Sequence, residues 1–273
     1  MTFRMMIVLL LVLLTAAPLY ASNVRQDLAR QSTLEQVINN NRLRVGFSTF
    51  VPWAMRDKTG DFIGFEIDVA RRLAEEMEVE LELVPTRWSG IIPALLTGKF
   101  DIIIGGMGIT PARNLRVNFS DPYQYSGMSI LANRRLAGER SSLEEFNSAD
   151  LEIVARIGTT AAAAAERYLP EATLRLFDDE GQALQEVLNN RAAAMVASQP
   201  FPEFQVLRYP ERLYLPLEGK TFTREPIGFA IRKGDPDFLN FLNNWIRVRL
   251  ADGWLEERHD YWFTTDEWRG LIQ

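Results

Sequence analysis

The sequence predicts an α/β protein of two lobes, each a mainly parallel sheet flanked by helices, and three observations carry the prediction. Apolar strands alternate with amphipathic helices in the order β-α-β-α-β. That pattern occurs twice, and a closing strand-and-helix segment follows the second copy without a sheet of its own. At 273 residues, 47% hydrophobic and 24% charged, the chain can bury a core in each copy.

Before the first copy, Arg4 precedes an apolar run from Met5 to Leu14, followed by "TAAPLYAS". This is the three-part pattern of a secretory signal peptide, assigned to residues 1–21 with cleavage near Ala21. Thr15 and Pro18 cut the run short of the roughly 20 apolar residues that an uncleaved membrane anchor needs. The mature chain is therefore expected to be exported and soluble.

A helix over "TLEQVINNN" leads into the first copy, which opens with the short apolar strand "RLRVGF". In "EIDVARRLAEEM", Ile67, Ala70, Leu73, Ala74 and Met77 fall on one helical stripe. "VELELVP" alternates as a strand does, "SGIIPALLTG" is a helix ended by Gly98, and "FDIIIGG" is the continuous apolar run of a strand covered on both faces. The second copy runs strand "LEIVARIG", helix "TTAAAAAERYL", strand "ATLRLF", helix "EGQALQEVLNN" and strand "AAAMVA". It shares topology with the first copy rather than sequence.

After it, "EPIGFAIRKGD" offers a strand. A helix over "DPDFLNFLNNWIRVRLADG" has Asp235 as N-cap, Pro236 at its first position and Gly253 past its end. This segment is expected to return to the first lobe, so lobe 1 takes residues 22–131 and 225–273 and lobe 2 takes 132–224. Two crossings then make a hinge. Trp245, Trp254, Trp262 and Trp268 recur near helical spacing and are read as core.

Composition excludes several functions. A net charge of -6 without a lysine–arginine run argues against nucleic acid. With no cysteine there is no disulfide framework, lipidated cysteine, thiol nucleophile or thiolate metal site. The single histidine, His259 in "LEERHDYW", reads as part of a solvated face, and metal ligands do not cluster. No catalytic residue, metal or cofactor is expected.

The chemistry concentrates in "DIIIGGMGITPARNLRVNFSDPY". Gly105, Gly106 and Gly108 let backbone approach a ligand at the end of a strand, where open α/β sheets bind their ligands. Thr110 and Pro111 start a helix, and Arg113 in its first turn opposes the helix dipole at a typical cost of ~0.3–1 kcal/mol. A bound anion would reverse that cost, and a guanidinium grips a carboxylate through two parallel bonds. The plain alternative is a surface arginine paired with Asp121. "GGMG" has neither the phosphate-loop lysine nor the dinucleotide spacing.

"RVGFSTFVPWAMRDKTGDFIGFEIDVARRLAEEM", "WSGIIPALLTGKFDIIIGGMGITPARNLRVNFSDPY", "IGTTAAAAAERYLP" and "EPIGFAIRKGD" together resemble the periplasmic polar amino-acid-binding proteins of ABC importers, over nearly all of the mature chain. The resemblance implies a type II periplasmic-binding-protein fold with a two-strand hinge. It also implies a monomer in the periplasm that captures an amino acid or small carboxylate and delivers it to a membrane permease.

Carried over residue by residue, the resemblance gives Arg113 the ligand's α-carboxylate, with help from the amides of Gly108 and of Thr159 or Thr160. Gly106 would offer its carbonyl to the ammonium, and Phe50 and Trp88 would sandwich the side chain, with Trp53 near them or in the core. Glu66 matches an acid often close to the pocket, or else a helix-start residue. Two positions depart from the family. Ser198 stands where an aspartate usually binds the ammonium, and Arg156 stands where an uncharged residue is usual. If Arg156 points inward, the pocket gains positive and loses negative charge, which favours a more acidic ligand.

Two rival readings remain open. One is an enzyme on the same fold, similar to cyclohexadienyl dehydratase, with a lone cleft acid such as Glu66 as proton donor. The other is a ligand-sensing subunit of a membrane receptor.

Overall fold

The computed structural model describes residues 32–272, so the expected signal peptide and the start of lobe 1 lie outside the described residues. The first sheet is built on β1 (Arg42–Phe47), which pairs in parallel with β4 (Glu80–Pro85) and β5 (Ile102–Ile103). Two further strands, β14 (Ala230–Ile231) and β6 (Asn118–Phe119), extend it antiparallel, in the order β4-β1-β5-β14-β6.

The second sheet repeats this plan. In it β9 (Glu152–Arg156) lies parallel to β10 (Thr173–Phe177) and β11 (Ala194–Ser198), and β8 (Met128–Asn133) and β12 (Leu213–Tyr214) are added antiparallel. Its order is β10-β9-β11-β8-β12. The small hairpin of β2 (Met55–Arg56) and β3 (Phe62–Ile63) was not foreseen.

The hinge is the antiparallel pair of β7 (Gln124–Ser126) and β13 (Glu225–Ile227). Each crossing strand is followed at once by the fourth strand of the sheet it enters: β7 by β8, and β13 by β14. Hence β8, which straddles the expected boundary at residue 131, lies wholly in the second sheet. The crossing comes at Ser126–Met128.

The expected single strand over "EPIGFAIRKGD" is likewise two. Gly228 breaks it, where a side chain would strike Ile109 at 2.8 Å. The strand changes partner there, from β7 in the hinge to β5 and β6 in the sheet.

Burial explains the elements. Ile102, Ile103 and Ile104 are fully buried, as a run covered on both faces requires. The ladder of β5 is short, but Asp101 N–H to Arg44 O (2.9 Å) and Ile104 N–H to Gly46 O (3.2 Å) prolong its pairing with β1. Arg44 locks the start of the same strand through a bidentate pair with Asp101, 2.7 and 3.1 Å.

The closing helices, Pro236–Ala251 and Trp254–Thr264, pack on the first lobe beside the helix Phe65–Glu76. Trp245, Trp262 and Trp268 are buried there and Trp254 is half-buried against Trp245. Trp268 also stacks on Phe204 of the helix Phe201–Arg208, with ring centroids 5.3 Å apart, so the C-terminal turn touches the second lobe. His259 is half-buried and stacks on Phe263 at 4.5 Å, which is more enclosed than a solvated face. No helix among the described residues is long and apolar enough to cross a membrane.

Candidate functional site

The carboxyl ends of β1, β5, β9 and β11 meet in one cleft between the sheets. Phe50 follows β1, Gly106 and Gly108 follow β5, Thr159 and Thr160 follow β9, and Ser198 ends β11. Trp88 and Arg113 complete the lining from the first lobe, and Arg156 does so from the second.

Gly106 is required by geometry, and Gly108 lies close to charged side chains. Gly106 has φ +64°, and a side chain on it would come within 2.8 Å of the Phe50 ring and 3.2 Å of Trp53. A Cβ on Gly108 would lie 3.1 Å from Glu225 Oε2 and 3.5 Å from Arg113 Nη1. Both keep backbone bare where a ligand would press against it.

Glu66 and Trp53, named as site candidates, do not line the cleft. Glu66 is fully buried behind the glycine turn, where both carboxyl oxygens lie 2.8 Å from the Tyr123 hydroxyl and the Gly106 amide donates to it. Burial pushes its carboxyl up to about 8 against those hydrogen bonds. Glu66 therefore braces Gly106 from behind instead of meeting a ligand. Trp53 is buried under Phe50, its ring stacked at 5.6 Å, and its indole N–H reaches across to Gln199 O at 3.3 Å.

Arg113 sits in a helix of one turn, Pro111–Asn114, capped by Thr110 Oγ1, which accepts from the Arg113 amide at 3.2 Å. Its guanidinium donates to Gly108 O at 2.7 Å and, across the cleft, to Gly158 O at 3.0 Å. Asp121, the alternative partner, instead pairs with Arg247 at 2.9 Å. Among the described residues no carboxylate forms an ion pair with Arg113. Burial lowers its pKa, and the charge of Glu225 partly offsets that.

Arg156 points inward and is buried; its Nε donates to Asp178 O at 3.2 Å and its Nη2 reaches Ser48 Oγ of the other lobe. Trp88 lies within 5.6 Å of both guanidiniums and donates its indole N–H to Gly158 O at 3.0 Å.

Two acidic residues escaped the sequence reading. Glu180, at the start of the helix Glu180–Leu188, lines the cleft although its residue surface is 7% exposed, and its Oε2 is buried without a hydrogen-bond partner. Burial pushes its carboxyl up to about 7, and Arg156 opposes the shift. Glu225, the first residue of β13, also lines the cleft with a buried, unpartnered Oε2, while its Oε1 meets only Thr223 Oγ1 at 3.4 Å. Arg156 does point inward, yet the pocket is not left without negative charge, because two glutamates stand beside the two arginines.

Neither glutamate carried a signal. Glu180 reads as a common helix starter and Glu225 as the prelude to a strand, and only the fold turns them inward. Among the described residues no group of acidic or histidine side chains has the arrangement of a metal site.

A family profile described as bacterial extracellular solute-binding proteins, family 3, matches residues 43–265. The chain belongs to that family. It is similar to the L-cystine-binding protein TcyJ of Escherichia coli, 26% identical over 252 residues and covering 92% of this chain and 93% of that one. Among solved structures it is 42% identical to an ancestral amino-acid-binding protein, AncCDT-1, described as a precursor of cyclohexadienyl dehydratase; the TM-score is 0.77, over 85% of this chain and 99% of that one. It is 41% identical to a putative ABC-transporter binding component of Wolinella succinogenes complexed with lysine, with TM-score 0.79, over 84% of this chain and 99% of that one.

Proposed function

We propose that this protein captures an amino acid or related small carboxylate between its two lobes in the periplasm and delivers it to the permease of an ABC importer. The lobes divide at the β7–β13 pair. The observation that carries the reading is Arg113, a guanidinium in the cleft whose hydrogen-bond partners among the described residues are two backbone carbonyls. Such a group has hydrogen-bonding capacity to spare and no counterion of its own within bonding distance, so a ligand carboxylate would supply both. The relatives named for cystine and lysine support the ligand class. Phe50 and Trp88 supply apolar walls, and the amides after β5 and β9 supply donors. A thermal-shift screen against amino acids and small carboxylates tests it. Ligand at 100 times its dissociation constant adds about 2.7 kcal/mol of stability, and a screen without a single stabilising compound overturns the reading.

One observation favours a second reading, an acid-catalysed dehydratase. Glu180 is a cleft carboxyl held near a pKa of 7, the range in which a buried acid can donate a proton at neutral pH. AncCDT-1 is itself an amino-acid-binding protein, and its description as a precursor of cyclohexadienyl dehydratase places that chemistry on a related fold. Incubation with arogenate or prephenate separates the two. Formation of an aromatic product that Glu180→Gln abolishes would establish the enzyme, and its absence leaves binding alone.

A further inference from the structure

Ser198 occupies the end of β11, and its Oγ lies 2.8 Å from Ser126 Oγ. Ser126 ends the hinge strand β7, and the residue directly opposite it on β13 is Glu225. Ser198 thus lines the cleft with a short side chain tied to Ser126, and a carboxylate stands one strand further on. Its Oε2 is buried without a partner and faces Gly108, the same turn whose carbonyl Arg113 holds.

A carboxylate oxygen in that position is costly unless a donor or a cation meets it. Arg113 does not form an ion pair with it. The two groups are of opposite charge and both border Gly108, Glu225 Oε2 at 3.1 Å and Arg113 Nη1 at 3.5 Å from where a Cβ would stand, a pair that a zwitterionic head group would complement: carboxylate towards Arg113, ammonium towards Glu225.

We infer that Glu225 is the ammonium anchor of this cleft, so that its ligand is a zwitterionic α-amino acid rather than a dicarboxylate or an oxo acid. The inference rests on the amino-acid reading proposed above. In physical terms, the acid stands on the hinge strand instead of at the end of β11, where the short Ser198 lines the cleft. Placing the anchor on β13 also couples recognition to the hinge, because that strand is one of the two that cross between lobes.

The test uses matched pairs that differ only in the α-ammonium: lysine with 6-aminohexanoate, arginine with 5-guanidinopentanoate, and glutamine with 4-carbamoylbutanoate. Calorimetry on the wild type should show the best-bound amino acid favoured over its partner by 100-fold or more. Glu225→Gln should lose about that factor for the amino acid and little for the des-amino compound, so the preference collapses. Glu225→Ala repeats the measurement without a side-chain amide, and a native thermal transition for each variant confirms folding. If Glu225→Gln binds the amino acid as tightly as the wild type, or if the wild type does not distinguish the pair, the anchor is overturned. If no amino acid binds the wild type at all, the amino-acid reading itself falls, and the anchor with it.

Discussion

Arg113 sits near the end of a helix of a single turn, and the fold holds it in the cleft on carbonyls from both lobes. Arg113→Ala should weaken ligand binding by several kcal/mol, because a bidentate partner is lost from a site shielded from water. Arg113→Lys should also bind poorly, since an ammonium cannot reproduce the planar fork. Unchanged affinity of Arg113→Ala in calorimetry would remove the carboxylate clamp. Glu66 makes a different kind of prediction. Its carboxyl is raised from its usual 4.5 to about 8, so between those values the native state holds a proton that the unfolded chain has released. The native state then binds more protons than the unfolded one, and this residue's contribution to stability falls as pH rises from 4.5 towards 8. Glu66→Gln, which cannot titrate, should show a flatter profile over that window in urea unfolding at a series of pH values. Parallel profiles would mean that Glu66 ionises normally.

Among the elements, the helices Thr33–Asn39 and Pro236–Ala251 share one carboxylate at their starts. Asp235 accepts from Phe238 N–H at 3.0 Å to start its own helix, and from Thr33 and Leu34 N–H at the start of the helix Thr33–Asn39. The sequence marks Asp235 as an N-cap for one helix, and in the structure it also takes the first two amides of a second, whose own N-cap is Ser32. Losing a cap typically costs about 0.5–2 kcal/mol, so Asp235→Ala should destabilise by about 1–4 kcal/mol if both contribute. Chemical denaturation measures this, and a loss below 0.5 kcal/mol, taken roughly as the floor for one cap, would show that neither bond matters. The glycine turn after β5 is the other element whose role depends on neighbours. Glu66 braces it from behind, Phe50 closes against it, and Glu225 approaches from the hinge.

For the whole molecule, several bonds span the cleft: Arg113 and Trp88 to Gly158 O, Trp53 to Gln199 O, Arg156 to Ser48, and Ser89 to Asp178 Oδ1 at 3.2 Å. A ligand shifts the balance towards this closed arrangement only through contacts with both lobes, and the residues around the cleft come from both. Small-angle scattering should therefore show a smaller radius of gyration when a cognate ligand is added. A bound ligand that leaves the scattering curve unchanged would sink the closing mechanism.

The sequence by itself determined the two α/β repeats, the returning C-terminal segment and the glycine–arginine turn, because periodicity, caps and bare backbone are local properties. It also placed nine of the candidate residues that the fold gathers around the cleft, from Phe50 to Ser198. Trp53 and Glu66 were named with them because they lie in matching segments. Their side chains turn away, and only the packing of Phe50 and Tyr123 decided that. Glu180 and Glu225 show the opposite case. Each lies in an ordinary local context, and each enters the cleft because strand order and the hinge crossing bring distant segments together. The charge of a pocket is a sum over such segments, so the tertiary structure alone decided it.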